Sequence, residues 1–200
     1  EDTLEIDRIL ALAENAPDLN VPGSLSQKNP AFDFCLPQKL RIGMAKDEAF
    51  CFYYEDNFRL LQEMGAELVP FSPIHDKHLP ENLDGLLLYG GYPELNGQKL
   101  EANIAMRGEI RQALTDGMPC LAECGGFMYL HEQMEGMDGR FYQMAGAISG
   151  KVFRTPRLTR FGYITLNQNR EVNVLGMRNF GGIPSHEFHY FDSDNCGNAF

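Results

Sequence analysis

Gly85-Leu86-Leu87-Leu88-Tyr89-Gly90-Gly91 is a continuous apolar run that stops at a pair of glycines. A strand buried on both faces of a parallel sheet reads this way. The pattern recurs further along: Met118-Pro119-Cys120-Leu121-Ala122 passes through Glu123 into Cys124-Gly125-Gly126. Phe127-Met128-Tyr129-Leu130-His131 continues at once with a helix-like spacing. Strand, glycine turn and helix together make a sharp elbow, because glycine permits a tight turn and close backbone approach.

Working outward, Leu40–Ala45 is a strand candidate, and 55–64 carries Phe58, Leu61 and Met64 at helical spacing with Gly65 as its stop. Glu67–Phe71 is a second strand. Residues 98–115 are expected to form one long helix with Leu100, Ile104, Ile110 and Leu114 on its inner face. Strands alternating with helices mean an α/β fold, a doubly wound and mostly parallel sheet flanked by helices. Both glycine turns then fall at the carboxyl edge of the strands, where such sheets collect their ligands.

Beyond Met134 the texture turns β-rich, with strand candidates at 141–145, 150–153, 161–166 and 184–190. Residues 167–182 read as a polar loop and 192–195 as a surface end. At the other terminus, residues 4–13 form a broad apolar helical face, and 16–38 hold Pro17, Pro22, Gly23, Pro30 and Pro37, a linker composition. Residues 1–38 are therefore expected to be the tail of a preceding domain with its linker, and 39–200 the domain proper. The chain does not start with Met, which points to a piece of a longer product.

Composition narrows the function. The 200 residues are 44% hydrophobic with 14 Phe, ample for a core, yet no apolar run approaches the roughly 20 residues a membrane helix needs. The acidic N-terminus has no signal-like apolar segment. A net charge of −11 argues against nucleic acid, whose phosphates call for clustered Lys and Arg. Five cysteines, at 35, 51, 120, 124 and 196, form no regular framework. They read as reduced thiols of a cytoplasmic protein, with no metal site expected. No GxxxxGK[ST] phosphate loop is present.

Cys124 at a helix N-terminus is placed where free N–H groups and the helix dipole favour a thiolate. A buried structural thiol fits the same five residues, and from them alone the two readings stand level. A thiol nucleophile needs a base and two backbone donors for an oxyanion. The donors expected are the N–H of Gly125 and one from the Gly90-Gly91 turn. His75 and His78 sit in a charged loop, and His131 is expected on the same helix as Cys124, pointing away from its N-terminus. His186 and His189 remain as candidate bases. Two-residue alternation puts Glu187 and His189 on one face.

These residues resemble a known family. Ala122–Gly126 with Gly90-Gly91-Tyr92-Pro93-Glu94 is similar to class I glutamine amidotransferase domains, flavodoxin-like in fold. Asp47-Glu48-Ala49-Phe50-Cys51-Phe52-Tyr53-Tyr54-Glu55-Asp56-Asn57 and Ser185-His186-Glu187-Phe188-His189-Tyr190 narrow the likeness to the C-terminal domain of the cobyrinic acid a,c-diamide synthase family. The resemblance covers about residues 40–192. It implies that Cys124 attacks the side-chain amide of glutamine, that His189 is the base, and that Gly90, Gly91 and Gly125 line the oxyanion and glutamine site. The ammonia would serve an N-terminal ATP-binding synthetase domain that uses Mg-ATP to amidate a corrinoid. No cofactor is expected in residues 1–200 themselves.

One departure stands out: many class I enzymes carry a Glu two residues after the catalytic His, and here that position is Phe191. A Cys–His dyad is implied, with Glu187 the candidate for orienting the imidazole and Tyr92 and Glu94 candidates for the glutamine pocket. Three alternatives stay open: an inactive regulatory or binding module on this fold, the matching domain of a nickel-tetrapyrrole or cobyric acid amidating enzyme, and a stand-alone thiol hydrolase. A homodimer also stays open.

Overall fold

The computed structural model describes residues 4–18, 39–167 and 182–197. Contacts divide the chain into Glu1–Cys35 and Leu36–Phe200. In the first unit, helix α1 (Ile6–Glu14) follows the expected apolar periodicity, and none of its residues is buried. Most of the expected linker (residues 19–38, with Cys35) and residues 168–181 of the expected loop lie outside the described residues.

The second unit is built on four parallel strands: β1 (Leu40–Ala45), β2 (Ala66–Phe71), β3 (Gly85–Leu88) and β4 (Cys120–Ala122). Their order is β2-β1-β3-β4. Helix α2 (Glu55–Glu63) connects β1 to β2 and ends before Gly65, which takes the positive φ of a helix stop. Strand alternation shows why the sheet is covered twice. Met44, Leu87 and Tyr89 point to one face and pack with Phe58 of α2. Their neighbours Ala45, Leu86 and Leu88 point to the other and pack with Leu100, Met106 and Ile110. The doubly wound sheet is as expected.

The helix expected over 98–115 is two helices, α3 (Gly97–Ala102) and α4 (Ile104–Thr115), broken at Asn103. The Asn103 carboxamide oxygen accepts the Met106 N–H and caps α4, while its NH2 donates to the carbonyls of Pro73 (2.9 Å) and Asp76 (2.7 Å). Leu100, Ile110 and Leu114 face the core as expected, but the break turns Ile104 out to 72% exposure and buries Met106 instead.

Helix α5 (Gly125–Leu130) follows β4 but is shorter than expected. His131 is not on it: that residue opens strand β5 (His131–Glu135) and is fully buried. With β6 (Phe141–Gln143), β7 (Ile148–Arg154) and β10 (Phe191–Ser193), β5 makes a second sheet in the order β10-β7-β5-β6. The surface end expected at 192–195 is thus partly a half-buried strand, with Ser193 opposite Val152 of β7. Strands β8 (Arg160–Leu166) and β9 (Ile183–His189) pair as an antiparallel ribbon.

The segment after β1 is held by Asp47. Its carboxylate accepts the N–H groups of Ala49 (2.8 Å), Phe50 (3.1 Å) and Ile74 (3.0 Å) and the hydroxyl of Ser72 (2.8 Å). That fastening carries the chain to Phe52, whose backbone bridges to Gly90 at the carboxyl edge.

Candidate active site

Cys124 occupies the turn between β4 and α5 with φ 50° and ψ −115°. Only Asn82 shares a positive φ among the described non-glycine residues. A conformation of this kind costs on the order of 1–3 kcal/mol and persists where packing enforces it. The enforcement here is visible. Gly126 passes so close to β3 that a Cβ would lie 1.8 Å from the Leu88 carbonyl oxygen. The Glu123 N–H donates to that same oxygen at 2.9 Å. The turn therefore leans on β3, and only glycine fits at 126.

The two glycine turns meet at the thiol. A Cβ on Gly90 would stand 3.5 Å from Cys124 Sγ, and one on Gly125 would stand 3.2 Å from the Gly91 nitrogen. Gly91 is itself pressed on the 47–57 segment: its N-terminal neighbour Gly90 accepts the N–H groups of Cys51 (3.1 Å) and Phe52 (3.0 Å), and the Tyr92 N–H donates to Ala49 at 2.9 Å. Strand β3 thus delivers one pair of backbone amides and β4 the other, around a single sulfur.

Burial pushes the Cys124 thiol above its ordinary range. The N–H groups of Gly125 and Gly91 pull it back, while the carboxylates of Glu94 and Glu123 push it further up. The expected depression by the helix terminus does not prevail, since α5 is a short helix and the surrounding protein displaces water from the sulfur. Cys120, four residues earlier at the start of β4, is pushed to about 11 by burial alone. Cys51, Cys120, Cys124 and Cys196 are all free thiols.

A cavity of about 550 Å³ opens beside Cys124. Gly91, Tyr92, Glu94, Glu187 and His189 line it together with the cysteine. Five expected site residues (91, 92, 94, 124 and 189) and Glu187 thus line one cavity, with Gly90 and Gly125 packed beside the thiol turn. Burial raises Glu94 above the usual carboxylate range. Glu187 and His189 share the inner face of β9, and His186 points outward against the rings of Phe161 and Tyr163. His75 and His78 pair with Glu48 and Glu109 on the surface.

The orienting group is less clear-cut. Glu187 faces Arg160 at 3.9 Å, and the His189 backbone carbonyl accepts the N–H and hydroxyl of Thr159. The cavity also draws on residues that sequence reasoning did not single out. Phe127, Phe188 and Tyr190 give it apolar walls, and Arg160 places a cation near Glu187 and Asp192. Their signal was present only as aromatic residues flanking each motif. A second cavity of about 480 Å³, beside Arg107 and Arg111, contains none of the candidate residues. Among the described residues no group of three or more His, Cys, Asp or Glu could hold a metal ion, and no helix is long and apolar enough to cross a membrane.

The family of CobB/CobQ-like glutamine amidotransferase domains matches residues 41–195. A cobyrinate a,c-diamide synthase of Dehalococcoides mccartyi is 45% identical over 192 residues, 95% of this chain and 40% of the relative. One from Caldanaerobacter subterraneus subsp. tengcongensis is 40% identical over 191 residues, 93% of this chain and 42% of the relative. The chain thus spans about 40% of the length of these curated relatives. A crystal structure described as a glutamine amidotransferase shares the fold, with a TM-score of 0.51 at 17% identity over 78% of this chain and 75% of that one.

Proposed function

The chain belongs to the family of CobB/CobQ-like glutamine amidotransferase domains, and from that premise we propose that it is the glutaminase part of a corrinoid a,c-diamide synthase, with Cys124 as nucleophile and His189 as base. The observation that carries this reading is the meeting of two glycine turns around one positive-φ cysteine, in a cavity that also takes in His189.

A raised thiol pKa makes the base necessary. His189 takes the Cys124 proton as the sulfur attacks the side-chain amide carbon of glutamine. The carbonyl oxygen becomes an oxyanion, for which the N–H groups of Gly91 and Gly125 are the donors. The C–N bond breaks as His189 returns the proton to nitrogen, releasing ammonia and leaving a glutamyl thioester on Cys124. Water, deprotonated by the same imidazole, hydrolyses the thioester to glutamate. Tyr92 and Glu94 bound the glutamine pocket, and Glu187 serves the rim.

Ammonia is useful only where an activated carboxylate waits for it. We assign that step to the part of the longer protein outside this chain, an ATP-dependent synthetase that amidates the a and c acetates of a corrinoid, with residues 1–38 as its trailing edge. The relatives' printed names and the 40% share of their length support this division. No phosphate loop occurs in the 200 residues, so no residue here is assigned to Mg-ATP. The free thiols fit a cytoplasmic setting.

The test is affinity labelling of the full-length protein with a glutamine analogue bearing an electrophilic carbon in place of the amide. The adduct is expected on Cys124, and Cys124→Ser is expected to abolish glutamine hydrolysis. An adduct elsewhere, or hydrolysis surviving the substitution, overturns the assignment.

A further inference from the structure

His131 is used by none of the chemistry above, yet it is the one histidine among the described residues that is fully buried. Its ring stands edge-on to Phe127, with centroids 4.7 Å apart. Nδ1 lies 2.9 Å from the Phe127 carbonyl oxygen. A carbonyl can only accept, so Nδ1 carries a proton. Nε2 lies 2.7 Å from the Ser193 hydroxyl oxygen and 3.4 Å from the Asn195 carbonyl oxygen. Ser193 Oγ in turn accepts the Asn195 N–H at 2.9 Å. Both ring nitrogens are thereby partnered, which fixes the ring orientation.

The two ends of the relay belong to the two walls of the cavity. Phe127 lies in α5, the helix that starts directly after Cys124, and its carbonyl is one of the last four that the helix cannot satisfy itself. Ser193 lies in β10, four residues beyond His189 along the same backbone. Both residues line the cavity. The His131 main chain adds a third anchor, accepting the Gly146 N–H at 2.8 Å.

We propose that His131 is a positioning residue for the Cys124–His189 pair, clasping the nucleophile's helix to the strand that runs on from the base. The proposal rests on the glutaminase reading above. Without an orienting carboxylate two residues after His189, where Phe191 stands, the separation of thiol and imidazole is set by backbone placement, and the clasp is the direct side-chain tie between the two backbones.

The experiment uses the full-length protein and four variants: Ser193→Ala, which removes one end of the clasp from a half-buried site, Ser193→Thr, which keeps the hydroxyl, His131→Asn, and Cys124→Ser as reference. The Asn amide can cap Phe127 but does not reach Ser193. Ser193→Ala is expected to fold normally and to lose about tenfold or more in kcat for glutamine hydrolysis, with KM within about twofold, because a small displacement of reacting groups is costly. His131→Asn is expected to lose a similar factor and Ser193→Thr to recover most of it. Combined with His189→Ala, Ser193→Ala is expected to add no further loss, since both act through one imidazole.

A folded Ser193→Ala protein with wild-type kcat overturns the clasp, as do losses that multiply in the double variant. Should His131→Asn fail to fold, the Ser193 pair still decides. If Cys124→Ser retains hydrolysis, the glutaminase reading itself falls. If Cys124→Ser is inactive and Ser193→Ala is not impaired, only the clasp falls.

Discussion

Gly90→Ala separates the chemistry of the site from the stability of the fold. Gly90 is not among the glycines with positive φ, so an alanine backbone is accommodated there. The new methyl would lie 3.2 Å from Cys124 Cβ, 3.4 Å from a Phe52 ring carbon and 3.5 Å from Cys124 Sγ. Carbon atoms prefer about 3.5–4.0 Å, so the shortfall is a few tenths of an ångström against side chains that can yield. The cost in stability is about 1 kcal/mol, which moves Tm by about 3 °C in a domain of this size. The cost in activity is larger, since the methyl occupies the space next to Sγ and the Gly91 N–H into which the amide carbonyl must come. A near-attack contact is about 3–3.5 Å, and displacing it by an ångström costs about 10²-fold. The assay is glutamine hydrolysis by the full-length protein with Tm measured in parallel. Wild-type kcat/KM in a folded Gly90→Ala enzyme would refute the placement of the oxyanion site. Gly91→Ala is the contrasting case: its Cβ would meet the Ala49 carbonyl oxygen at 2.1 Å, a backbone atom that cannot step aside, so poor folding rather than selective inactivity is expected.

His189→Ala should lower hydrolysis by about 10²-fold or more, the usual contribution of a general base, whereas outward-facing His186→Ala should leave the rate within about twofold; equal losses in the two would remove His189 from its role. Glu94→Gln takes away a carboxylate that holds the Cys124 thiol up, so alkylation of Cys124 should shift to lower pH, and an unchanged profile contradicts the electrostatic account. Because burial raises the Glu94 pKa in the folded state, ionising it costs stability as pH rises from its unfolded value through the folded one. Wild type and Glu94→Gln should therefore match in Tm at acid pH, with the variant higher at neutral pH. Asp47→Ala leaves four donors without their carboxylate and should lower the unfolding free energy by about 2 kcal/mol in urea titration, while a neutral result would demote that fastening.

What the sequence made legible was the part written in short-range grammar. The all-apolar run of β3 and the glycine pairs after β3 and β4 are local signals, and they led to the sheet, its carboxyl edge and Cys124. Alternation along β9 correctly separated outward His186 from inward Glu187 and His189. The misreadings are long-range. Nothing near Asn103 announces that its carboxamide will be claimed by Pro73 and Asp76, so helical periodicity ran through a position where the chain breaks. His131 sits in helical register with Phe127, and its partners Ile148 and Ser193, far along the chain, draw it to the buried head of a strand. Asp192 and Ser193, polar in composition, join Phe191 in a half-buried strand because β7 offers them a partner.

The raised thiol pKa inverts what the helix terminus alone implied. A cysteine stabilised as thiolate by a long helix would stand ready for any electrophile. Here the packing that imposes φ 50° on Cys124 also strips water from its sulfur, so one cause gives both the strained turn and the protonated thiol. Glu94 and Glu123 reinforce the protonated form. In the proposed mechanism the nucleophile then exists only when His189 is positioned to accept its proton, and reactivity becomes a property of two walls rather than of one residue. On that proposal the inner face of β9 and the start of α5 must keep their spacing for glutamine to be cleaved, and neither wall holds that spacing alone.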